Sequence, residues 1–274
     1  MSEDKQRVSL DMLETRLKDA ETDLVTAIRR RAVASEHLRT AMIGNGNPTA
    51  MTILANLERI MRQSATTNHN ELLLRWGVEF QVDLIATGLE RIMVTGPEQM
   101  RIWDQSRGLF GHQLPMTFES DPRETLTAIA DSDNTVGVMG WVAIAGSGQW
   151  WPVLNESRYH NLRIIGAWPV LGNQSPNIAI VAKGPVTEHA GCRTLFIAHD
   201  DHHKVSKIFG ELGLKVSEFA RARTLVLFET PVSISENDPR LKTARAAGLD
   251  GLRVVGSLPG QKFAANDDEP SKPA

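Results

Sequence analysis

Between Leu10 and Met42 apolar residues return at steps of mostly three and four, at Leu10, Leu13, Leu17, Ala20, Leu24, Ile28 and Leu38, with no glycine or proline between them. The spacing predicts one long helix, roughly 50 Å at about 1.5 Å per residue, too long to hide its stripe within a small monomer. A partner helix or a second subunit is therefore expected. Gly44-Asn45-Gly46-Asn47 predicts its end, and Asn47-Pro48 supplies an N-cap and first-turn proline for a second helix carrying Ile53, Leu54, Leu57, Ile60 and Met61. After the polar link Ser64 to Asn70, Leu73, Trp76, Phe80 and Leu84 predict a third helix that stops near Gly88 or Gly96-Pro97. On this pattern the first 95 residues are all helical.

The grammar changes after Pro97. Short runs rich in β-branched residues, Thr135 to Met139, Leu162 to Ile165 and Ile178 to Val181, alternate with helical patterns and predict an α/β region. Asp121-Pro122 opens a helix with Leu126, Ile129 and Ala130 on one side and the aspartate as N-cap. The closing stretch is the most regular: strand Thr194 to Ala198, helix His202 to Leu212, strand Leu214 to Ala220, strand Thr224 to Glu229, helix Pro239 to Ala247 and strand Leu252 to Val255. That βαββαβ order predicts a ferredoxin-like sheet of four antiparallel strands with two helices on one face. The tail FAANDDEPSKPA, within residues 261–274, is too polar to fold.

Composition narrows the partners. With 274 residues, 41% of them apolar, the chain is long enough for two or three modest cores. A net charge of -3 gives no global field for nucleic acid or an anionic membrane, so neither is expected as a partner. The single cysteine, Cys192, reads as a small buried hydrophobe in a reducing compartment. The N-terminus MSEDKQRVSL has no apolar core of a signal sequence, no run reaches the roughly 18 apolar residues of a membrane span, and a cytoplasmic location is expected.

The string LETRLKDAETDLVTAIRRRAVASEHL, with acidic Glu21 at mid-helix and Arg31 ten residues later, resembles the opening helix of AroQ-type chorismate mutases. ETLTAIADSDNTVGVMGW and LRIIGAWPVL resemble the helix-to-strand segment and next strand of prephenate dehydratases, and GLRVVGSLPG resembles the last strand of the ACT domain that closes those enzymes. The resemblance implies a multidomain α plus α/β chain: a chorismate-mutase-like helical domain over 8–95, a prephenate-dehydratase-like segment over 98–190, and an ACT-like domain over 193–260. It also implies a homodimer and a small-molecule ligand of the chorismate or prephenate type.

Chorismate rearranges without a covalent intermediate, so a mutase grips two carboxylates and stabilises charge developing on the breaking ether. The family's mid-helix arginine falls on Arg31. Its early arginine falls on Glu14, its lysine on Met42, its Arg-Glu pair near Thr52-Ile53 and its glutamine near Ile85. Arg16, Arg39 and Gln81 stand close by, Arg39 and Gln81 about one turn away, and with Arg31 they form a shifted candidate site.

The dehydratase signature fares worse, because no Thr-Arg-Phe triplet occurs and Gly140-Trp141 replaces the family's Glu-Asn-Ser stretch. In the ACT-like stretch the two amino-acid-binding turns fall on His203-Lys204-Val205 and Ala220-Arg221-Ala222-Arg223. His199-Asp200-Asp201-His202-His203 carries metal-ligand residue types, but adjacent turn residues rarely converge on one ion, and the aspartates read as helix caps. No metal and no cofactor is expected. Trp150-Trp151-Pro152 and Trp168-Pro169 are expected to pack a sheet. Two functions from different classes follow: a divergent chorismate mutase of aromatic amino-acid biosynthesis, or a catalytically inactive relative that senses a metabolite or binds a partner.

Overall fold

Nine strands meet edge to edge in one mixed sheet in the computed structural model of the chain, which describes residues 10–43, 89–112, 114–141, 149–168, 176–184 and 192–259. The chain divides into two units, Met1–Pro48 and Thr49–Ala274. The first contributes a single 34-residue helix, α1 (Leu10–Ile43), as its apolar spacing predicts. The expected second and third helices and the tail fall outside the described residues.

The second unit opens with β1 (Arg91–Thr95), which corrects the expectation that the chain is helical to residue 95. The run Arg-Ile-Met-Val-Thr is buried from its second residue onward, and a strand covered on both faces shows no polar alternation to betray it. Then follow α2 (Gln99–Phe110), β2 (Met116–Phe118), α3 (Pro122–Ala130) and β3 (Thr135–Gly140). Asp121 caps α3 by accepting from the Arg123 amide at 2.8 Å, with Pro122 in the first turn. Two short 3-10 turns, Trp151–Asn155 and Ser157–Tyr159, lead into β4 (Leu162–Trp168) and β5 (Ile178–Lys183). The chain closes with β6 (Cys192–His199), α4 (Val205–Glu211), β7 (Ser217–Ala222), β8 (Leu225–Thr230), α5 (Pro239–Ala246) and β9 (Arg253–Pro259).

The strand order is β2-β1-β3-β5-β4-β9-β6-β8-β7. β1 runs parallel to both its neighbours, while the last four strands pair antiparallel throughout. Alternation along the strands separates the cores. Val136 and Val138 of β3 face one way and pack with Ile102, Leu109 and Phe110 of α2; Met139 faces the other way and packs with Leu126 and Ile129 of α3. Helices α2 and α3 thus cover opposite faces. Phe196, Phe209 and Phe228 anchor a third cluster beneath α4 and α5.

The sheet continues across residue 190. β9 pairs with β4 through Ile164 and Gly256, and Leu195, Leu227 and Val255 share a core with Trp151 and Ile164. Trp150 and Trp151 are buried in that core as expected, and Cys192 at the start of β6 is buried as well.

Candidate functional site

Parallel strands flanked by helices on alternate faces leave a crevice where successive connections depart in opposite directions, at the carboxyl ends of the strands. Here β1 leads into α2 and β3 is entered from α3, so the crevice lies where β1 ends at Thr95 and β3 ends at Gly140. Its floor is bare backbone. A Cβ on Gly96 would come within 2.3 Å of Ile102 Cδ1 and 3.1 Å of the Gly140 nitrogen, and Gly96 holds φ at 150°. Both glycines are needed for the strand ends to approach this closely.

Pro97, Glu98, Arg101, Ile102, Gly140 and Asn177 line the crevice, which has room for about one water molecule. Arg101, in the first turn of α2, donates through Nη1 to Glu98 Oε2 at 2.9 Å and through Nη2 to Asn177 Oδ1 at 2.7 Å. Asn177 is fixed by its own backbone. Its amide donates to the Trp168 carbonyl at 2.8 Å, and its carbonyl accepts from the Trp141 amide at 2.9 Å. Trp150 Nε1 donates to the Gly140 carbonyl at 2.8 Å, tying the buried indole to the end of β3. Arg101 and Glu98 are half-exposed, so their pair is weak and exchangeable. The crevice therefore presents a guanidinium, a carboxylate and an amide to solvent, a set that recognises a small polar ligand.

A second charged cluster joins the two turns that the sequence matched to amino-acid-binding positions. Arg221 of β7 donates to Glu218 from Nε at 3.0 Å and Nη2 at 2.6 Å, and to the Asp200 carbonyl from Nη1 at 3.2 Å, while its Nη2 stands 3.4 Å from His203 Nδ1. The Glu218 carboxylate holds the Arg221 guanidinium in its charged form. Asp200, buried, accepts from the Lys204 amide at 2.6 Å; the expected capping by the aspartates is not met, because α4 starts only at Val205, with Lys204 as N-cap and no side-chain capping bond. His203 takes a positive φ of 53° in this turn. Among the described residues no three side chains of metal-ligand type converge.

Of the residues chosen from the sequence, Arg16 is exposed on α1 and Arg31 is partly buried on the same helix. Fifteen positions separate them, about 22 Å along the axis, so one helix cannot place both on one small ligand. Arg39 falls in α1 with its side chain outside the described residues, and Gln81 lies outside them altogether. The crevice residues were missed. Glu98 and Arg101 could have been found from a buried run ending in Gly96-Pro97 ahead of a helix; Asn177 carries no local signal.

No helix among the described residues is long and apolar enough to cross a membrane. No family model matches the chain, and no curated protein matches it. Among solved structures the chain is similar to one described as GqqA, a novel type of quorum quenching acylases, at 14% identity and a TM-score of 0.43, over 65% of this chain and 98% of that one. It is similar also to prephenate dehydratase from Streptococcus mutans at 10% identity and a TM-score of 0.42, over 62% of this chain and 97% of that one.

Proposed function

We propose that this chain binds a small carboxylate-bearing metabolite of the chorismate or prephenate type over the solvent-facing mouth of the crevice between β1 and β3, with only its carboxylate reaching Arg101, as a sensing or regulatory protein without dehydratase turnover. The observation that carries this reading is Arg101, poised at the crevice mouth between Glu98 and Asn177. A planar guanidinium can exchange such partners for a ligand carboxylate held by two parallel hydrogen bonds. The absence of a Thr-Arg-Phe triplet from the sequence supports binding without dehydration.

The stretch from β6 to β9 is the regulatory module in this proposal, a ferredoxin-like ACT unit over 193–260 behind a dehydratase-like segment over 98–190. Its order β9-β6-β8-β7, antiparallel throughout, supports that assignment. The protein works in the cytoplasm as a homodimer.

Thermal shift and calorimetric titration against chorismate, prephenate, phenylalanine and tyrosine test the reading. Stabilisation by chorismate or prephenate is expected, lost in Arg101→Gln, with no chorismate consumed above the buffer rate. Indifference to all four ligands, or binding that ignores Arg101→Gln, overturns it. The isomerase alternative, with Arg31, Arg39, Arg16 and Gln81 gripping chorismate, takes its support from Arg31, partly buried at mid-helix. Turnover abolished by Arg31→Ala would favour it.

A further inference from the structure

Arg163 of β4 and Arg253 of β9 both donate to the His160 carbonyl, at 2.5 and 2.7 Å, so the two donating nitrogens lie within about 5 Å of each other. Two further bonds also go to carbonyls: Arg163 Nη1 donates to Leu162 at 2.8 Å and Arg253 Nη1 to Leu154 at 2.5 Å. A carbonyl satisfies an N–H but brings no formal charge. Among the described residues the one carboxylate bonded to this pair is Glu236, from the loop between β8 and α5, which accepts from Arg163 Nη2. Two neighbouring cations therefore share a single anion.

The edge of Arg163 that Glu236 meets is only half used. A guanidinium sets Nε and Nη2 side by side, an edge that fits two oxygens of one oxyanion. Glu236 takes Nη2 with one oxygen, while Nε is buried with no hydrogen-bond partner among the described residues. The Arg163 side chain is 7% exposed and that of Glu236 is 45% exposed. The cation is thus fixed by the fold, whereas the carboxylate stands at the surface and can turn into water without opening a core.

We propose that Arg163 and Arg253 form a binding site for a phosphate group, and that Glu236 is the internal carboxylate that fills it until such a ligand displaces it. A phosphate monoester carries about -1.5 to -2 charges at pH 7, a closer match to two cations than the single charge of Glu236. Two of its oxygens suit the Nε and Nη2 edge of Arg163 and leave a third for Arg253. The ligand enters from the surface, where Glu236 leaves. Bound there, it ties β4 to β9, which meet in register at Ile164 and Gly256. Glu236 competes from a tether, and a tethered group acts at an effective concentration in the millimolar range, so the site answers to abundant phosphate rather than to traces. The inference rests on these two strands and one loop and stands apart from the crevice reading.

Calorimetric titration of the full-length chain with inorganic phosphate and with methyl phosphate tests it. The parent is expected to bind, and Glu236→Gln to bind about tenfold more tightly once the tethered competitor is gone. In Glu236→Gln, about 10 mM phosphate should raise the melting temperature about 3 °C further than in Glu236→Gln/Arg253→Met, whose shift reports the general stabilisation of folded chains by phosphate salts. Equal shifts in the two variants overturn the site. A parent that binds neither probe overturns the displacement of Glu236. Tighter binding of methyl phosphate supports the site with a phosphorylated metabolite as its ligand, and tighter binding of inorganic phosphate supports it with the free ion.

Discussion

Arg163 and Arg253, on the neighbouring parallel strands β4 and β9, donate to the same carbonyl oxygen, that of His160, at 2.5 and 2.7 Å. Arg163 is 7% exposed and pairs with Glu236, while Arg253 also donates to the Leu154 carbonyl at 2.5 Å. Burial, and then the nearby Arg163 charge, push the Arg253 guanidinium down to about 10, with Glu236 partly offsetting both. Two desolvated cations thus lean on one carboxylate at the junction of β4 and β9.

Removing that carboxylate should expose the imbalance. Glu236→Gln is expected to destabilise the fold by about 1 to 2 kcal/mol, below the cost of breaking a fully buried pair because Glu236 is itself half-exposed. Urea unfolding would register the loss, and Arg253→Met in the same chain should recover part of it. The exposed bidentate pair of Arg123 and Glu156 is the control. An Arg123→Gln change that moved the midpoint as far as Glu236→Gln would refute the argument from burial.

The same junction depends on a glycine. A Cβ on Gly256 would lie 2.4 Å from the Ile164 carbonyl oxygen and 2.7 Å from Ile164 Cβ, and backbone cannot step aside as a flexible side chain would. Gly256→Ala is therefore expected to cost about 3 kcal/mol. Because β4 and β9 belong to one sheet, their amides should gain hydrogen exchange together. Faster exchange confined to β9 would mean that the two stretches unfold independently.

How much of this was legible in the sequence depends on where the signal was local. The cap at Asp121-Pro122, the helix opening at Pro239, and the strands ending at Met139 and Val181 could be read because capping chemistry, first-turn prolines and short apolar runs act over a few residues. α2 was hidden because its inward row runs through Ser106, a polar residue that satisfies itself by donating to the Ile102 carbonyl at 2.7 Å. β1 was hidden by being buried on both faces. The crevice was illegible for a topological reason: Arg101 and Asn177 stand 76 positions apart, and only the pairing of β5 with β3 brings them together.

Acid should weaken the fold partly through α5. Asp238 caps this helix by accepting from the Arg240 amide at 2.9 Å, and its carboxylate also accepts from Arg240 Nε at 2.9 Å and Nη2 at 2.6 Å. The Arg240 guanidinium holds the Asp238 carboxyl below its ordinary value of 3.8. A carboxyl depressed in the folded state contributes stability that is complete above its unfolded value and is lost as pH falls through the folded one. Asp238→Asn keeps a capping oxygen and removes the charge. Melting curves should show the variant less stable at neutral pH and less sensitive between about pH 4 and pH 2. Parallel pH profiles for the two proteins would contradict the prediction.

The crevice gives the sharpest contrast at Asn177, whose backbone bonds to Trp168 and Trp141 do not depend on its side chain. Asn177→Asp places a carboxylate where an amide oxygen now accepts from Arg101, so the guanidinium would be neutralised between two acids. Binding of a carboxylate ligand should then fall at least about tenfold, since a charge-assisted pair roughly doubles a neutral hydrogen bond and must be broken before the ligand can enter. Asn177→Ala removes the competing acceptor and leaves Arg101 tethered by Glu98 alone, so affinity should hold or rise. Arg101→Lys should bind more weakly than the parent, because an ammonium cannot offer two parallel donors. All three variants should melt close to the parent temperature, given that Arg101 is half-exposed. Calorimetry ranking Asn177→Asp with Asn177→Ala would show that Arg101 is not the ligand's anchor.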